Sequence, residues 1–374
     1  MSLLRALQQA GVLRTLDDAL ANTLRRLDPS RPDDVLAAAT LASLAVAYGH
    51  AGFDPASPAL LVDAEIAWPQ ADAWLQQLAA SRFVATPASP VEEADAAPLA
   101  LENGLLYLRR YREYERRLAL QLQRIAARPL QGDIAAIAPL FAALFPEARD
   151  GDHQARAAAL SLRRALLLVT GGPGTGKTTL VRGILAALDE SGLGVILAAP
   201  TGRAARRLSE STGRDARTLH RLLEADPERG FRRSHTRPIE ADLVIVDEAS
   251  MIDTQLLAGL LDALPDGTAL VLVGDVDQLP SVGPGQVLAD VIGSGAVPTI
   301  RLTEIFRQAA ESGIVRNAHR INRGELPSFA RAEDGPGDCY GIRVAGPEDA
   351  QAKLLELVTS RIPDRFGLDP INDV

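Results

Sequence analysis

Residues Leu166–Thr179, LLLVTGGPGTGKTT, set a short apolar run before a glycine-rich turn and then Lys-Thr-Thr. The spacing Gly171-x4-Gly176-Lys177-Thr178 suits phosphate binding: backbone N–H groups surround the phosphate oxygens, the lysine neutralises β/γ charge and the hydroxyl ligates Mg²⁺. The expected nucleotide-binding residues are therefore Gly171, Gly172, Pro173, Gly174, Thr175, Gly176, Lys177, Thr178 and Thr179, with Thr178 also a metal ligand. The flanks agree. Leu166–Thr170 reads as a buried strand, and Lys177–Leu188 as a helix whose N-terminal dipole faces the phosphates.

A second constellation lies downstream. The apolar run Leu243–Val246 leads straight into Asp247-Glu248, and an acid at the end of such a strand is where a P-loop enzyme holds the Mg²⁺ water shell. Asp247 is the expected metal ligand, and Glu248 is placed to orient or deprotonate an attacking water. A further apolar run, Leu270–Val273, opens into Gly274-Asp275-Val276-Asp277-Gln278-Leu279-Pro280. Gln278 is the candidate γ-phosphate sensor there; a loop amide bonded to nearby backbone is the plainer alternative.

These residues need a scaffold that delivers strand ends to one edge. From Ala165 onward strands and helices alternate, the signature of a parallel sheet, with strands expected at Ala165–Thr170, Val195–Ala199, Leu243–Val246, Leu270–Val273 and Thr299–Leu302. Residues 1 to 85 read instead as all-helical, with apolar spacings of three and four in Leu13–Leu27, Val35–Tyr48 and Ala73–Leu78. Thr86-Pro87-Ala88-Ser89-Pro90 and the acidic stretch to Pro98 have the composition of a linker or exposed loop. Leu99–Glu102 and Leu105–Leu108 flank Asn103-Gly104, which favours a type I′ hairpin. The arginine- and tyrosine-rich helix at 109–128 suits a partner or nucleic-acid surface, or a solvated face on which Glu113 and Glu115 pair with arginines.

The 374 residues allow about two or three domains, and 47% hydrophobic with 23% charged residues is an ordinary globular composition. A net charge of −9 argues against nucleic-acid coating by the whole surface but leaves room for a basic groove. Such a groove is expected at 201–240, where ten arginines face six acidic residues. Asp226–Pro238, with Phe231 inside it, reads either as a small hairpin or as a surface loop. Cys339 is the only cysteine, so neither a disulfide nor a cysteine zinc site forms within the chain, and a reducing cytoplasmic setting is expected. No signal-peptide pattern opens the sequence and Val35–Tyr48 is too short to span a bilayer, so no membrane role is expected.

The ordered set GGPGTGKTT at 171–179, APTGRAARRL at 199–208, RTLH at 217–220, VDEASM at 246–251, GDVDQLPSVGPG at 274–285 and LTEIFRQ at 302–308 resembles superfamily 1 helicases, closest to their RecD-like branch. LLYLRRYREYERRLALQL at 105–122 is similar to the amino-terminal part of RecD (alpha) subunits of exodeoxyribonuclease V. The resemblance implies an α/β fold: a RecA-like P-loop NTPase domain with a parallel sheet at 131–374, preceded by a mostly α-helical partner-binding domain with a small hairpin at 1–130. It implies ATP and Mg²⁺ as cofactors, and Lys177, Glu248, Gln278 and Arg307 as catalytic residues, Arg307 contacting the γ-phosphate. It adds Gln154 as an adenine-recognising residue, and Pro200, Thr201, Gly202, Arg203 and Arg206 as contacts to single-stranded DNA. Spacing alone would make Gln154 a helix surface residue and Arg307 a salt-bridge partner; His220 reads best as a structural histidine.

What the resemblance implies for the whole is a motor subunit moving 5′ to 3′ on single-stranded DNA with RecB-like and RecC-like partners, acting in double-strand break repair and recombination. A free-standing or conjugative RecD-like helicase, or a nucleotide-binding interaction module without turnover, are the alternatives. Relatives carry a second RecA-like domain after text resembling GLDPINDV, and this sequence stops there, at Val374. The expectation is a first motor domain that holds ATP and turns it over poorly alone.

Overall fold

The computed structural model describes residues 2–90, 92, 96–128, 165–172, 174–188, 192–302, 312–329 and 338–369. Gln154, Pro173 and Arg307 lie outside the described residues. The chain forms two compact units, Met1–Glu304 and Ile305–Val374.

The first unit begins with α1 (Leu3–Gln9), α2 (Thr15–Leu27) and α3 (Asp33–Ala47). Every residue from Val35 to Ala45 is buried. The alanines on α3 let α1 and α2 approach it closely, which is why this apolar run becomes the axis of the N-terminal core. Asp33 sits in the first turn, where its carboxylate accepts from Leu4 N at 3.2 Å and ties α1 to α3. Next come β1 (Gly52–Phe53), α4 (Ala71–Ala79), β2 (Val84–Ala85), β3 (Leu99–Glu102) and β4 (Leu105–Leu108). Trp74 of α4 is buried and donates through Nε1 to Asp34 O at 3.1 Å.

The expected hairpin is present with both turn residues at positive φ, Asn103 at 50° and Gly104 at 81°. It is not alone. β1 and β2 flank it in a four-stranded sheet of order β1-β4-β3-β2, so the first 85 residues are not all-helical. Strands of two residues carry no periodicity, and a pattern reading passes over them.

Helix α5 (Arg109–Ala126) follows β4 without an intervening residue. Its Leu118, Leu122 and Ile125 are buried not with α3 but with the core of the sheet that follows, and none of its residues joins the α3 core. Glu113 pairs with Arg112 and Arg116, as a solvated face would have it. For Glu115 burial pushes the carboxyl up, and it takes a hydrogen bond from the Tyr107 hydroxyl.

The larger layer contains β5 (Leu166–Gly171), α6 (Lys177–Leu188), β6 (Val195–Ala199), α7 (Gly202–Thr212), β7 (Ala216–Thr218), α8 (Leu219–Leu222), β8 (Ala225–Asp226), β9 (Gly230–Phe231), β10 (Leu243–Val246), α9 (Thr254–Ala263), β11 (Ala269–Gly274), α10 (Val287–Ser294) and β12 (Thr299–Leu302). Six strands pair in parallel, in the order β12-β5-β11-β10-β6-β7. Strand alternation sorts their side chains. Leu166, Leu168, Val244, Val246, Leu270 and Leu272 meet α5, α8, α9 and α10 on one face. Leu167, Val169, Ile245, Val271 and Val273 meet α6 and α7 on the other. Both faces are covered, which is why these strands read as continuous apolar runs. β7, too short and polar to announce itself, adds an edge strand that pattern reading missed.

The second unit holds α11 (Gly313–Asn322), α12 (Pro347–Glu356) and α13 (Ile362–Phe366). Asn317, buried at 6% exposure, donates to Ser328 O at 2.8 Å and lies 3.3 Å from Cys339 Sγ, so the lone cysteine is part of a small polar contact.

Because Leu122 is buried in the sheet's core from a helix that starts in the N-terminal module, Leu122→Ala should destabilise the chain by about 2–4 kcal/mol. Urea unfolding checks this, and a loss below about 0.5 kcal/mol, as for an ordinary surface site, would place Leu122 outside the core.

Candidate active site

All six strands run the same way, so their carboxyl ends share one edge of the sheet, where open α/β folds bind ligands. β5 runs there into the glycine loop. Gly174 and Gly176 take φ of 75° and 82°, conformations that an L side chain resists, and Thr175 is buried with its hydroxyl donating to Gly172 O at 2.9 Å. Lys177, the first residue of α6, folds back so that Nζ donates to Gly171 O at 2.6 Å and Gly172 O at 3.0 Å. The ammonium thus sits over the loop on two carbonyls that water-like or phosphate oxygens can replace. Thr178 and Thr179 are exposed beside it.

Gly171 has a separate reason to be glycine. A Cβ there would lie 2.6 Å from Thr175 Oγ1 and 2.9 Å from Leu302 Cβ of β12, the neighbouring strand. At Gly172 a Cβ would meet nothing within 4 Å. The two adjacent glycines therefore answer to different constraints, one to packing and one to the open face of the loop.

β10 delivers the acids. Asp247 N donates to Ala198 O at 3.0 Å, holding the strand end, and Asp247 Oδ1 accepts from Glu248 N at 2.9 Å. Glu248 adopts φ 53° and ψ 40°, a left-handed conformation that costs a non-glycine residue of order 1 kcal/mol and marks functional turns. Burial pushes both carboxyls up. For Glu248 the neighbouring Asp247 adds to that, while the charges of Lys177 and Arg207 pull both groups back down. Acids and cations at this edge therefore sit within electrostatic reach of one another.

β11 adds a third acid that pattern reading left without a role. Asp275 is 1% exposed, accepts from Asp277 N at 3.1 Å, and takes Gln278 Nε2 at 2.9 Å. Gln278 is thereby aimed by a buried carboxylate whose charge also raises Glu248. The signal was available, because Asp275 ends an apolar strand just as Asp247 does. Arg207 was missed too: it lies on α7 among many surface arginines, and only the fold carries its charge to β10.

Pro200 and Thr201 follow β6 at the same edge, and Thr201 caps α7 by accepting from Ala204 N at 3.2 Å. Gly202, Arg203 and Arg206 are exposed on the first turns of that helix. Arg206 pairs with Glu210 at 2.8 Å, but at 83% and 62% exposure such a pair contributes little and leaves the guanidinium available to a phosphate. The stretch Asp226–Pro238 opens with a short hairpin, β8 with β9, which leans Phe231 on Gly259 of α9 and against the edge of the exposed His220 ring at 6.3 Å. Arg232, Arg233 and Arg237 within it pair with Asp226 or Glu224.

Among the described residues no group of three or more His, Cys, Asp or Glu side chains could hold a metal. A hard cation with one carboxylate and one hydroxyl from the protein, completed by phosphate oxygens and water, fits what is present, since Mg²⁺ binds in that manner. Among the described residues no helix is long and apolar enough to cross a membrane.

Comparison with known proteins agrees in placement. Residues 148–336 match the family model of the AAA domain, and residues 9–107 match that of the RecBCD enzyme subunit RecD, N-terminal domain. The chain is similar to the ATP-dependent RecD2 DNA helicase of Deinococcus radiodurans, 42% identical over 64% of this chain and 33% of that one. It is 35% identical to the RecBCD enzyme subunit RecD of Mycobacterium tuberculosis over 92% of this chain and 60% of that one. The corresponding subunit of Mycolicibacterium smegmatis is 38% identical over 90% and 62%. This chain thus spans about 60% of the length of the mycobacterial relatives.

The two loop glycines give a paired test. Gly171→Ala should destabilise the chain by about 1–3 kcal/mol through overpacking against Leu302, while Gly172→Ala should change it by less than about 0.5 kcal/mol. Denaturant unfolding of both variants decides it; equal losses would remove the packing account of Gly171.

Proposed function

The chain belongs to the AAA-domain family of P-loop proteins, with a RecD N-terminal domain ahead of the AAA domain, and from that premise we propose that it supplies the first motor domain of an ATP-dependent DNA helicase. The single observation that carries this is the convergence at one sheet edge of Lys177 on the glycine loop, Asp247-Glu248 at the end of β10, and Gln278 held by Asp275. A binding module has no need of a strained acid and an aimed amide facing the phosphates.

In this reading ATP lies with its phosphates against the loop from Gly171 to Thr179. Lys177 leaves the Gly171 and Gly172 carbonyls for β/γ oxygens, a change of partner that keeps its ammonium satisfied. Thr178 and Asp247 would hold Mg²⁺, which supplies charge neutralisation on the phosphates. Glu248 orients the attacking water; its raised pKa, caused first by burial, suits a group that takes up a proton. Gln278 reads the γ-phosphate. Gln154 and Arg307 keep the roles their motifs imply, adenine recognition and a γ-phosphate contact.

Pro200, Thr201, Gly202, Arg203 and Arg206 form the start of a single-strand track beside that site, reading phosphates rather than bases. Residues 1–130 are the partner-binding domain, and the likeness of their sequence to RecD subunits supports RecB-like and RecC-like partners in a cytoplasmic complex acting in break repair and recombination. A second reading, a RecD-like helicase that works without those partners, has the higher identity of the Deinococcus relative behind it. Capture of a purified RecC-like subunit by the chain separates the two.

The nucleotide assignment is tested by titrating Mg·ATP into the chain and into Lys177→Ala. Removing a charge-assisted phosphate contact without removing core volume should weaken binding by about 10- to 100-fold and leave the unfolding transition unchanged. Equal affinities measured by calorimetry would sink the assignment.

A further inference from the structure

The loop that follows β11 travels from the candidate active site to the N-terminal module, and a backbone hydrogen bond joins them. Gly285 N donates to Gly49 O at 2.9 Å. Gly49 lies just past the end of α3, after the capping residue Tyr48. Its φ of 87° is left-handed, its own N–H bonds Val46 O at 3.2 Å, and His50 N bonds Ala45 O at 2.9 Å, the paired closure that turns a chain out of a helix. That closure leaves the Gly49 carbonyl facing outward, and Gly285 takes it.

The far half of the loop has little freedom. Ser281 Oγ lies 2.8 Å from Gly283 O and 2.7 Å from Gly285 O, and Thr254 N donates to Pro284 O at 3.1 Å. A Cβ at Gly283 would collide with the Asp253 carboxylate, and one at Gly285 with the Thr254 hydroxyl. Asp253 and Thr254 are themselves fixed, since they start α9, where Asp253 caps the helix by accepting from Leu256 N at 2.7 Å. The near half begins with Asp275 and the Gln278 amide it holds. Only Leu279 and Pro280 separate that amide from the clamped segment. A rotation of Gln278 away from Asp275 is therefore passed along a short, stiff path rather than absorbed in a long loop.

We propose that the α3 turn of the N-terminal module and the loop 275–285 are one coupled element, so that nucleotide at the candidate active site alters the Gly49 turn. By reciprocity, whatever binds the module at that turn alters nucleotide affinity by the same factor. This rests on the nucleotide reading above and adds to it a route by which occupancy reaches the partner-binding domain.

Hydrogen exchange on the full chain, with and without a non-hydrolysable Mg·ATP analogue, tests it. Binding of the analogue is followed separately by calorimetry. The analogue should slow exchange in residues 274–283 and also in residues 44–53, the latter by about fivefold or more, the low end of ordinary coupling. Gly49→Val, which cannot hold a φ of 87° without strain, should keep the response at 274–283 and lose it at 44–53. Gly49→Asn, which tolerates that region, should restore it; a Cβ at this position meets nothing within 4 Å, so no clash confuses the comparison. If the parent chain binds the analogue and responds at 274–283 but not at 44–53, the coupling is overturned while the nucleotide site stands. If Gly49→Val retains both responses, the Gly49–Gly285 contact is not the route. Absence of any binding heat overturns the nucleotide reading and the coupling together. Should Gly49→Val fail to fold, the parent measurement decides alone.

Discussion

Burying both faces of a parallel sheet drives charge off the strands and onto their ends. β10 has no polar side chain, β11 none, and β5 only the buried Thr170 before its terminal glycine. The first groups able to do chemistry after β10 and β11 are Asp247 and Asp275, and after β5 the glycine loop with Lys177. The sheet's one-way strand direction sets these at a common edge. Burial pushes the carboxyls of Asp247 and Glu248 up. Lys177 and Arg207 oppose it with positive charge. Acids and cations thus share one strand-end edge and act on one another there.

The same sheet gives the N-terminal module its purchase. α5 leaves the hairpin at Leu108 and along its length buries Leu118, Leu122 and Ile125 against the strands, while Arg124 and Arg128 reach Asp266 on the turn after α9. The helix follows the hairpin without a break and is anchored in the sheet's core, so pulling it away would open apolar surface to water. The Gly49–Gly285 bond reaches the same module from the other side, through the loop that carries Gln278. The N-terminal module and the strand-end edge are joined twice, once by packing and once by backbone.

Much of this was legible in the sequence for a physical reason. The glycine loop, Asp247-Glu248 and the five main strands are encoded locally, by apolar runs and by residue types that only certain backbone conformations allow. Asn103-Gly104 foretold its turn for the same reason. What escaped was encoded at a distance. Two-residue strands such as β1 exist only because β4 offers its edge, and β7 only because β6 does. Glu115 looked like a solvated acid until the hairpin brought Tyr107 to it. Arg207 owes its place to sheet order, which no spacing along the chain reveals.

The central claim is that Lys177, Asp247, Glu248 and the Asp275–Gln278 pair form one nucleotide site. A crystal structure of the chain with Mg²⁺ and a non-hydrolysable ATP analogue tests it most directly. The account predicts Lys177 Nζ moved from the Gly171 and Gly172 carbonyls to phosphate oxygens, the cation between Thr178 and Asp247, and the Gln278 amide turned from Asp275 toward the γ-phosphate. A nucleotide bound away from the strand ends, or one bound there with Lys177 still on its two carbonyls, would contradict it.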